Sequence, residues 1–186
     1  MTVLGFAGYA GSGKDTAARV ICPQSNIVEM SQHLKAAMLL LDPIIPWDSG
    51  NGKVFYYRLR GVVATVGWDK AKQNPEVRRL LQVFGTEAGR DLHGADCWLN
   101  LVERELQRLR RDGVTLACLT GIRFPNEALL PDKLVWVERP GVGAGAHKSE
   151  QMEVLKEIAN VRLLNDCDSA GAWRAKVQAW FSEFER

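Results

Sequence analysis

Metal-binding and disulfide signatures are missing from this sequence. Its four cysteines, Cys22, Cys97, Cys118 and Cys167, are widely spaced without a C-x-x-C pair, and its three histidines make no Cys/His cluster of the kind that holds zinc. Reduced thiols in an intracellular protein are the expectation. Long apolar runs are missing too: none approaches the roughly 18 residues that span a bilayer. The opening segment, Met1-Thr-Val-Leu-Gly-Phe-Ala-Gly8, lacks the charged start and long apolar core of a signal peptide. A soluble cytoplasmic protein without a membrane partner is expected. There is little excess charge of either sign, 24 Lys and Arg against 22 Asp and Glu for a net charge of +2. Bulk charge therefore does not argue for nucleic acid, no nucleic-acid partner is expected, and any affinity for phosphate must come from local placement of basic residues. The Arg-rich run 104–111 interleaves Glu and Gln with Arg, which suits a solvated helix face.

What is present is material for one globular domain, with 46% hydrophobic and 25% charged residues. Residues 2–8 are a short apolar run ending at glycine, followed by a glycine-rich turn and a helix-compatible stretch over 15–21. A second strand is expected over 26–30, with Ser31 capping a helix striped by Leu34, Met38 and Leu41 and closed by Pro43 and Pro46. Residues 42–74 set Pro, Gly, Asn and Asp around an apolar and aromatic stretch, 54–68, without clean periodicity. Val77, Leu80, Leu81 and Phe84 stripe a helix that Gly85 should end, and Trp98, Leu101, Val102, Leu106 and Leu109 stripe another. Runs at 114–119 and 134–137 read as buried parallel strands, 161–164 as a last strand. Ser169 then opens a helix striped by Trp173, Val177, Trp180, Phe181 and Phe184, with its tryptophans in the core. Strands alternating with helices predict a three-layer α/β fold, a central parallel sheet flanked by helices.

The chemistry lies in Gly8-Tyr-Ala-Gly-Ser-Gly-Lys-Asp-Thr16, which matches the phosphate-loop pattern G-x-x-x-x-G-K but carries Asp15 where the pattern has Ser or Thr. Placed between a strand and a helix, such a loop turns successive backbone N–H groups and the helix N-terminus onto phosphate oxygens. Gly11 and Gly13 permit close backbone approach, and Lys14 reaches the β- and γ-phosphates. A hydroxyl normally ligates Mg²⁺ here; either Asp15, itself a hard oxygen donor, or Thr16 takes that part.

Further segments follow in order: Leu81-Gln-Val-Phe-Gly-Thr-Glu-Ala-Gly-Arg90, Gly94-Ala-Asp-Cys-Trp98, Ile122-Arg-Phe-Pro-Asn-Glu127, Glu138-Arg-Pro-Gly141 and His147-Lys-Ser-Glu150. With the phosphate loop they resemble the bacteriophage deoxynucleoside monophosphate kinases, from residue 3 to about 166. The resemblance implies a P-loop NTPase fold, ATP and Mg²⁺ as cofactors, and a deoxynucleoside monophosphate as acceptor. It implies ATP binding by Ala10, Gly11, Ser12, Gly13, Lys14, Asp15 and Thr16, and an acceptor site lined by Gln82, Thr86, Glu87, Arg90 and Trp98, with Asn126 and Glu127 after a strand. It further implies an acceptor-side insertion at about 42–75 and a lid at about 139–150 in a single domain, and, if phage-encoded, action in the host cytoplasm. Lys14, Arg90, Arg123 and Arg139 are the expected catalytic cations, Arg90 because a planar guanidinium holds two phosphate oxygens at once. Lys35 is a further candidate for the acceptor phosphate.

One departure stands out: the family's aspartate two residues before Arg123 is Gly121 here, so Asp15, Glu87 or Asp96 is left to compensate. Trp98 stacks on a base or heads a core stripe; His147 is a lid residue or a solvated one. The stretch 54–68 is an acceptor clamp, core or a homodimer interface, all three open. Competing functions are another small-molecule kinase similar to dephospho-coenzyme A kinase and a catalytically silent nucleotide-binding domain, the latter favoured by Asp15 and Gly121.

Overall fold

From Thr2 to Ala7 the chain is apolar on both faces, as a strand covered by helices on either side requires. It forms β1 (Thr2–Ala7), the middle strand of a five-stranded sheet. The computed structural model describes residues 1–48, 50–144 and 152–184. After β1 come α1 (Lys14–Ile21), β2 (Ile27–Glu29), α2 (Gln32–Leu41), β3 (Ile44–Asp48), β4 (Val54–Arg58), α3 (Leu59–Ala71) and α4 (Pro75–Gln82). A π-helical segment (Val83–Arg90) leads to α5 (Asp91–His93), α6 (Cys97–Arg111), β5 (Leu116–Ile122), β6 (Lys133–Glu138), α7 (Glu153–Ile158), β7 (Val161–Leu164) and α8 (Ala170–Phe184). The chain gathers into two compact units, Met1–Met30 with Leu99–Arg186, and Ser31–Trp98.

In the first unit all strands run parallel in the order β2-β5-β1-β6-β7. Alternation along β1 divides two cores. Val3 and Ala7 join Val28, Val102, Leu106, Leu119, Trp136 and Leu155 under α6 and α7. Leu4 and Phe6 join Ala17, Ala18, Val135, Leu163, Trp173, Val177 and Phe181 under α1 and α8. Each large side chain buried this way contributes about 1.5–3 kcal/mol. The result is the expected α/β sheet between two helical layers. The connection from β1 to β2 passes over β5, and that from β5 to β6 passes over β1. The order thus reverses at the carboxyl end of β1, where open parallel sheets gather their ligands. Cys22 and Cys118 sit side by side in the α1 core, the Cys118 thiol donating to Cys22 Sγ at 2.9 Å, and all four cysteines are free. The Cys22 hydrogen bond and burial push the Cys118 thiol up, which keeps it protonated. No described helix is long and apolar enough to cross a membrane.

The second unit packs Met38, Ile45, Leu59, Val62, Ala71 and Val77 into a core of its own. Here the structure corrects several sequence expectations. Ser31 precedes α2 without a side-chain cap, and α2 ends at Leu41, with Asp42 in the left-handed region at φ 48°. Pro46 lies inside β3, which pairs antiparallel with β4 to make a two-stranded hairpin, where a missing N–H is tolerated. The stretch 54–68 has no single period because it begins as strand β4 and continues as helix α3, and α3 is itself broken at Gly67, with φ 74° and ψ 165°. Gly85 does not end the helix of Val77: the backbone continues from α4 into the π-helical segment.

Candidate functional site

The loop between β1 and α1 is shaped by three glycines at positive φ: Gly8 at 147°, Gly11 at 84° and Gly13 at 99°. A Cβ on Gly8 would run into Val137 O and stand 2.7 Å from Ser12 Oγ, while one on Gly11 would meet nothing within 4 Å. Gly11 is therefore glycine for its backbone angle, and Gly8 for space as well. Ser12 N donates to Tyr9 O at 3.1 Å, which closes the turn, and Gly13 N-caps α1 with no side-chain cap. Ser12 is 1% exposed, and its Oγ has no hydrogen-bond partner. A buried hydroxyl without a partner costs free energy unless a ligand meets it. Together with the uncapped N-terminus of α1, it fits a phosphate chain lying in the loop.

Lys14 opens α1 with its Nζ 3.5 Å from Asp15 Oδ2; the Lys14 side chain is largely covered and Asp15 half exposed. Ala10 and Gly11 are exposed and Thr16 is half-buried. Two further hydrogen bonds reach the loop from the far end of the chain. Asn165 Nδ2 donates to Ser12 O at 2.8 Å, and Trp173 Nε1 donates to Gly13 O at 3.1 Å. A Cβ on Gly13 would lie 2.6 Å from that Asn165 nitrogen and 2.7 Å from the indole nitrogen. Trp173 is a core residue, as its helical stripe predicts, and also a loop contact, which the stripe does not predict. Behind the loop, Tyr9 meets Trp136 edge-on at 5.3 Å and donates from its hydroxyl to Glu153 Oε1 at 3.0 Å. Burial, then the Glu153 carboxylate, pushes the Tyr9 phenol up.

Two expected cations flank this loop on the sheet. Arg123 follows Ile122, which pairs with Ala7 across β1 and β5, and Arg139 follows β6, whose Trp136 also pairs with Ala7. Both are exposed. Asn126 is half-buried, whereas Glu127 is 2% exposed, its Oε2 accepting from Arg123 N at 2.6 Å and Phe124 N at 3.2 Å. Glu127 thus shapes the turn that carries Arg123. The lid expected at 139–150 is described only to 144; its remainder, His147 included, lies outside the described residues.

Gly121 has a structural reason. Phe6 pairs with Thr120 and Ala7 with Ile122, so Gly121 is the extra residue of a bulge, at φ 74°. An aspartate there would be strained. A Cβ at 121 would lie 3.6 Å from Glu29 Cγ, so the carboxylate-bearing side chain beside this position comes from the end of β2. The sequence reading missed Glu29 because only strand pairing brings it to residue 121. Among the described residues no three His, Cys, Asp or Glu side chains group to hold a metal. Mg²⁺ is bound largely by phosphate oxygens and water with one or two protein oxygens; Asp15 and Thr16 carry side-chain oxygens in the first turn of α1.

In the second unit the remaining predicted residues fall on and around the π-helical segment. Gln82 ends α4, Thr86 and Arg90 are half-buried, and Glu87 is exposed. Arg90 Nη1 donates to Ala95 O at 2.7 Å. Trp98 Nε1 donates to Gly85 O at 2.9 Å, and its ring lies 5.8 Å from that of Phe84. Gly85 and Gly89 are buried in this packing. Lys35 Nζ stands over the Trp68 ring, 5.9 Å from its centroid. Asp96, offered as a compensating carboxylate, is exposed.

The parallel sheet, the strand order and the glycine loop leading into α1 define an α/β protein with a central five-stranded parallel sheet flanked by helices and a glycine-turned loop between its first strand and first helix. Over 53 residues, 28% of this chain, the sequence is 42% identical to the deoxynucleoside-5'-monophosphate kinase of Escherichia phage T5, and the match spans 20% of that relative. No family model matches. The crystal structure of TT1252 from Thermus thermophilus aligns over 98% of this chain and 97% of that one, at TM-score 0.41 and 16% identity.

Proposed function

We propose that this protein is a nucleotide kinase, and more finely a deoxynucleoside monophosphate kinase that moves the γ-phosphoryl group of ATP onto a dNMP to give dNDP and ADP. The observation that carries the reading is the phosphate loop, whose turned glycines and buried, partnerless Ser12 hydroxyl form a cradle for a polyphosphate. The partial identity to a kinase supports the reaction class.

In this reading an acceptor phosphate oxygen bonds to the γ-phosphorus as the bond from the γ-phosphorus to the β–γ bridging oxygen breaks, and ADP leaves with that oxygen. Lys14 and the N–H groups of the loop stabilise charge on the transferring group. Bound Mg²⁺ supplies further charge neutralisation, with Asp15 or Thr16 as its protein ligand. Arg123 and Arg139, at the ends of β5 and β6, draw phosphate charge to the sheet edge. Arg90 holds the acceptor phosphate, with Lys35, Gln82, Thr86, Glu87, Trp98, Asn126 and Glu127 as the remaining acceptor-side assignments, Glu127 acting through the turn it holds.

The test is ADP release with ATP, Mg²⁺ and each of dAMP, dGMP, dCMP and dTMP, alongside Lys14→Ala. Acceptor-dependent release that falls about 10²-fold or more in the variant is expected. The bulged Gly121 favours one second reading, a nucleotide-binding domain without catalysis; ATP binding with no transfer to any of the four acceptors would select it.

A further inference from the structure

The contacts from Asn165 and Trp173 have a directional consequence. In a planar trans peptide the C=O of one residue and the N–H of the next point in opposite directions. Asn165 Nδ2 holds Ser12 O at 2.8 Å, which fixes the direction of Gly13 N–H; Trp173 Nε1 holds Gly13 O at 3.1 Å, which fixes that of Lys14 N–H. Gly13 O also accepts Ala17 N at 3.0 Å in the first turn of α1, so both of its lone pairs are engaged. The donors are themselves rigidly held. Asn165 is 4% exposed, and its own N–H donates to Glu138 O at 2.7 Å, tying it to the end of β6. Trp173 is 3% exposed in the α8 core. Both are polar donors aimed inward at adjacent carbonyls.

We propose that Asn165 and Trp173 are positioning residues for the triphosphate of the nucleotide: by holding the Ser12 and Gly13 carbonyl oxygens they present the Gly13 and Lys14 N–H groups to it before it arrives. This rests on the phosphate-loop reading above and names the residues that build its anion site. It also accounts for glycine at position 13, because any side chain would displace the two donors.

The experiment measures binding of inorganic tripolyphosphate and of ATP, each with Mg²⁺, by calorimetry to the wild type, Asn165→Ala, Trp173→Phe and Lys14→Ala, with circular dichroism to establish folding. Trp173→Phe keeps an aromatic side chain in the core but removes the N–H donor together with part of the indole's volume, so its Tm is measured beside its affinity. Each brace variant is expected to weaken tripolyphosphate about tenfold, the scale of one lost buried hydrogen bond, and to raise KM for ATP more than it lowers kcat. A destabilised but otherwise intact site would bind normally well below its Tm. Wild-type-like tripolyphosphate affinity in a folded Asn165→Ala or Trp173→Phe protein overturns the proposal and leaves the phosphate loop standing. Absence of binding by the wild type, or equal binding by Lys14→Ala, sinks the phosphate-loop reading itself. Should both brace variants fail to fold, hydrogen exchange of the Trp173 indole N–H in the ligand-free wild type decides: slow exchange is expected, and exchange as fast as that of an open indole overturns the brace.

Discussion

Gly13 concentrates the constraints of the phosphate loop in one atom-sized space. Its φ of 99° disfavours any L side chain, and the two donors behind it leave no room for a Cβ. Gly13→Ala is therefore expected to lose about 1–3 kcal/mol of stability from backbone strain, read by thermal unfolding, with ATP binding lost alongside. Glu127 makes a similar point with charge. Its Oε2 serves two backbone donors, so Glu127→Ala should cost about 1–3 kcal/mol for the groups it strands, and Glu127→Gln, which keeps an acceptor oxygen, much less. If Glu29 contributes to Mg²⁺ in place of a carboxylate at 121, Glu29→Ala will raise the Mg²⁺ concentration needed for half-maximal transfer and weaken Mn²⁺ binding to the nucleotide complex, read by electron paramagnetic resonance. Unchanged values in both would remove it from the metal's surroundings.

At the scale of elements, the π-helical segment depends on residues that a periodicity reading treats as breaks. A Cβ on Gly89 would lie 2.5 Å from Trp98 Nε1 and 2.9 Å from Phe84 O, and one on Gly85 would lie 3.0 Å from Leu34 Cδ2. These glycines do not stop the helix; they let Trp98 and Leu34 lie against it. Gly89→Ala should overpack this contact and destabilise the second unit by about 1–3 kcal/mol, with Trp98 fluorescence reporting the loss. α8 carries a second, pH-dependent element. Ser169 Oγ accepts Ala172 N at 3.1 Å at the start of the helix, and Lys176 Nζ donates to Asp166 Oδ1 at 2.7 Å. That bond holds the Asp166 carboxyl below its usual range. Its stabilisation is fully present above the ordinary aspartate value near 3.9 and is lost as pH falls through the depressed folded value. The Tm advantage of the wild type over Lys176→Met should therefore fade below about pH 3.9.

For the whole molecule, a ligand that binds only the folded protein stabilises it by mass action. ATP at 100 times its Kd should add about 2.7 kcal/mol, seen as a rise in Tm that Lys14→Ala abolishes. Local and periodic features are legible in the order of residues alone. The apolar run before Gly8 specified β1, the glycines of 8–13 specified a turned loop into α1, and the short aliphatic runs specified parallel strands, because each needs only neighbouring residues to be recognised. Tertiary structure decided what neighbours cannot encode. Asn165 and Trp173 reach the loop from 153 and 160 residues away, Glu29 reaches Gly121 through strand pairing, and Gly85 and Gly89 pass through a helix because of what packs on them. A glycine's local preference is to end a helix or open a turn; whether it does so depends on the side chain that takes the space its missing Cβ leaves, and only the folded chain places that side chain.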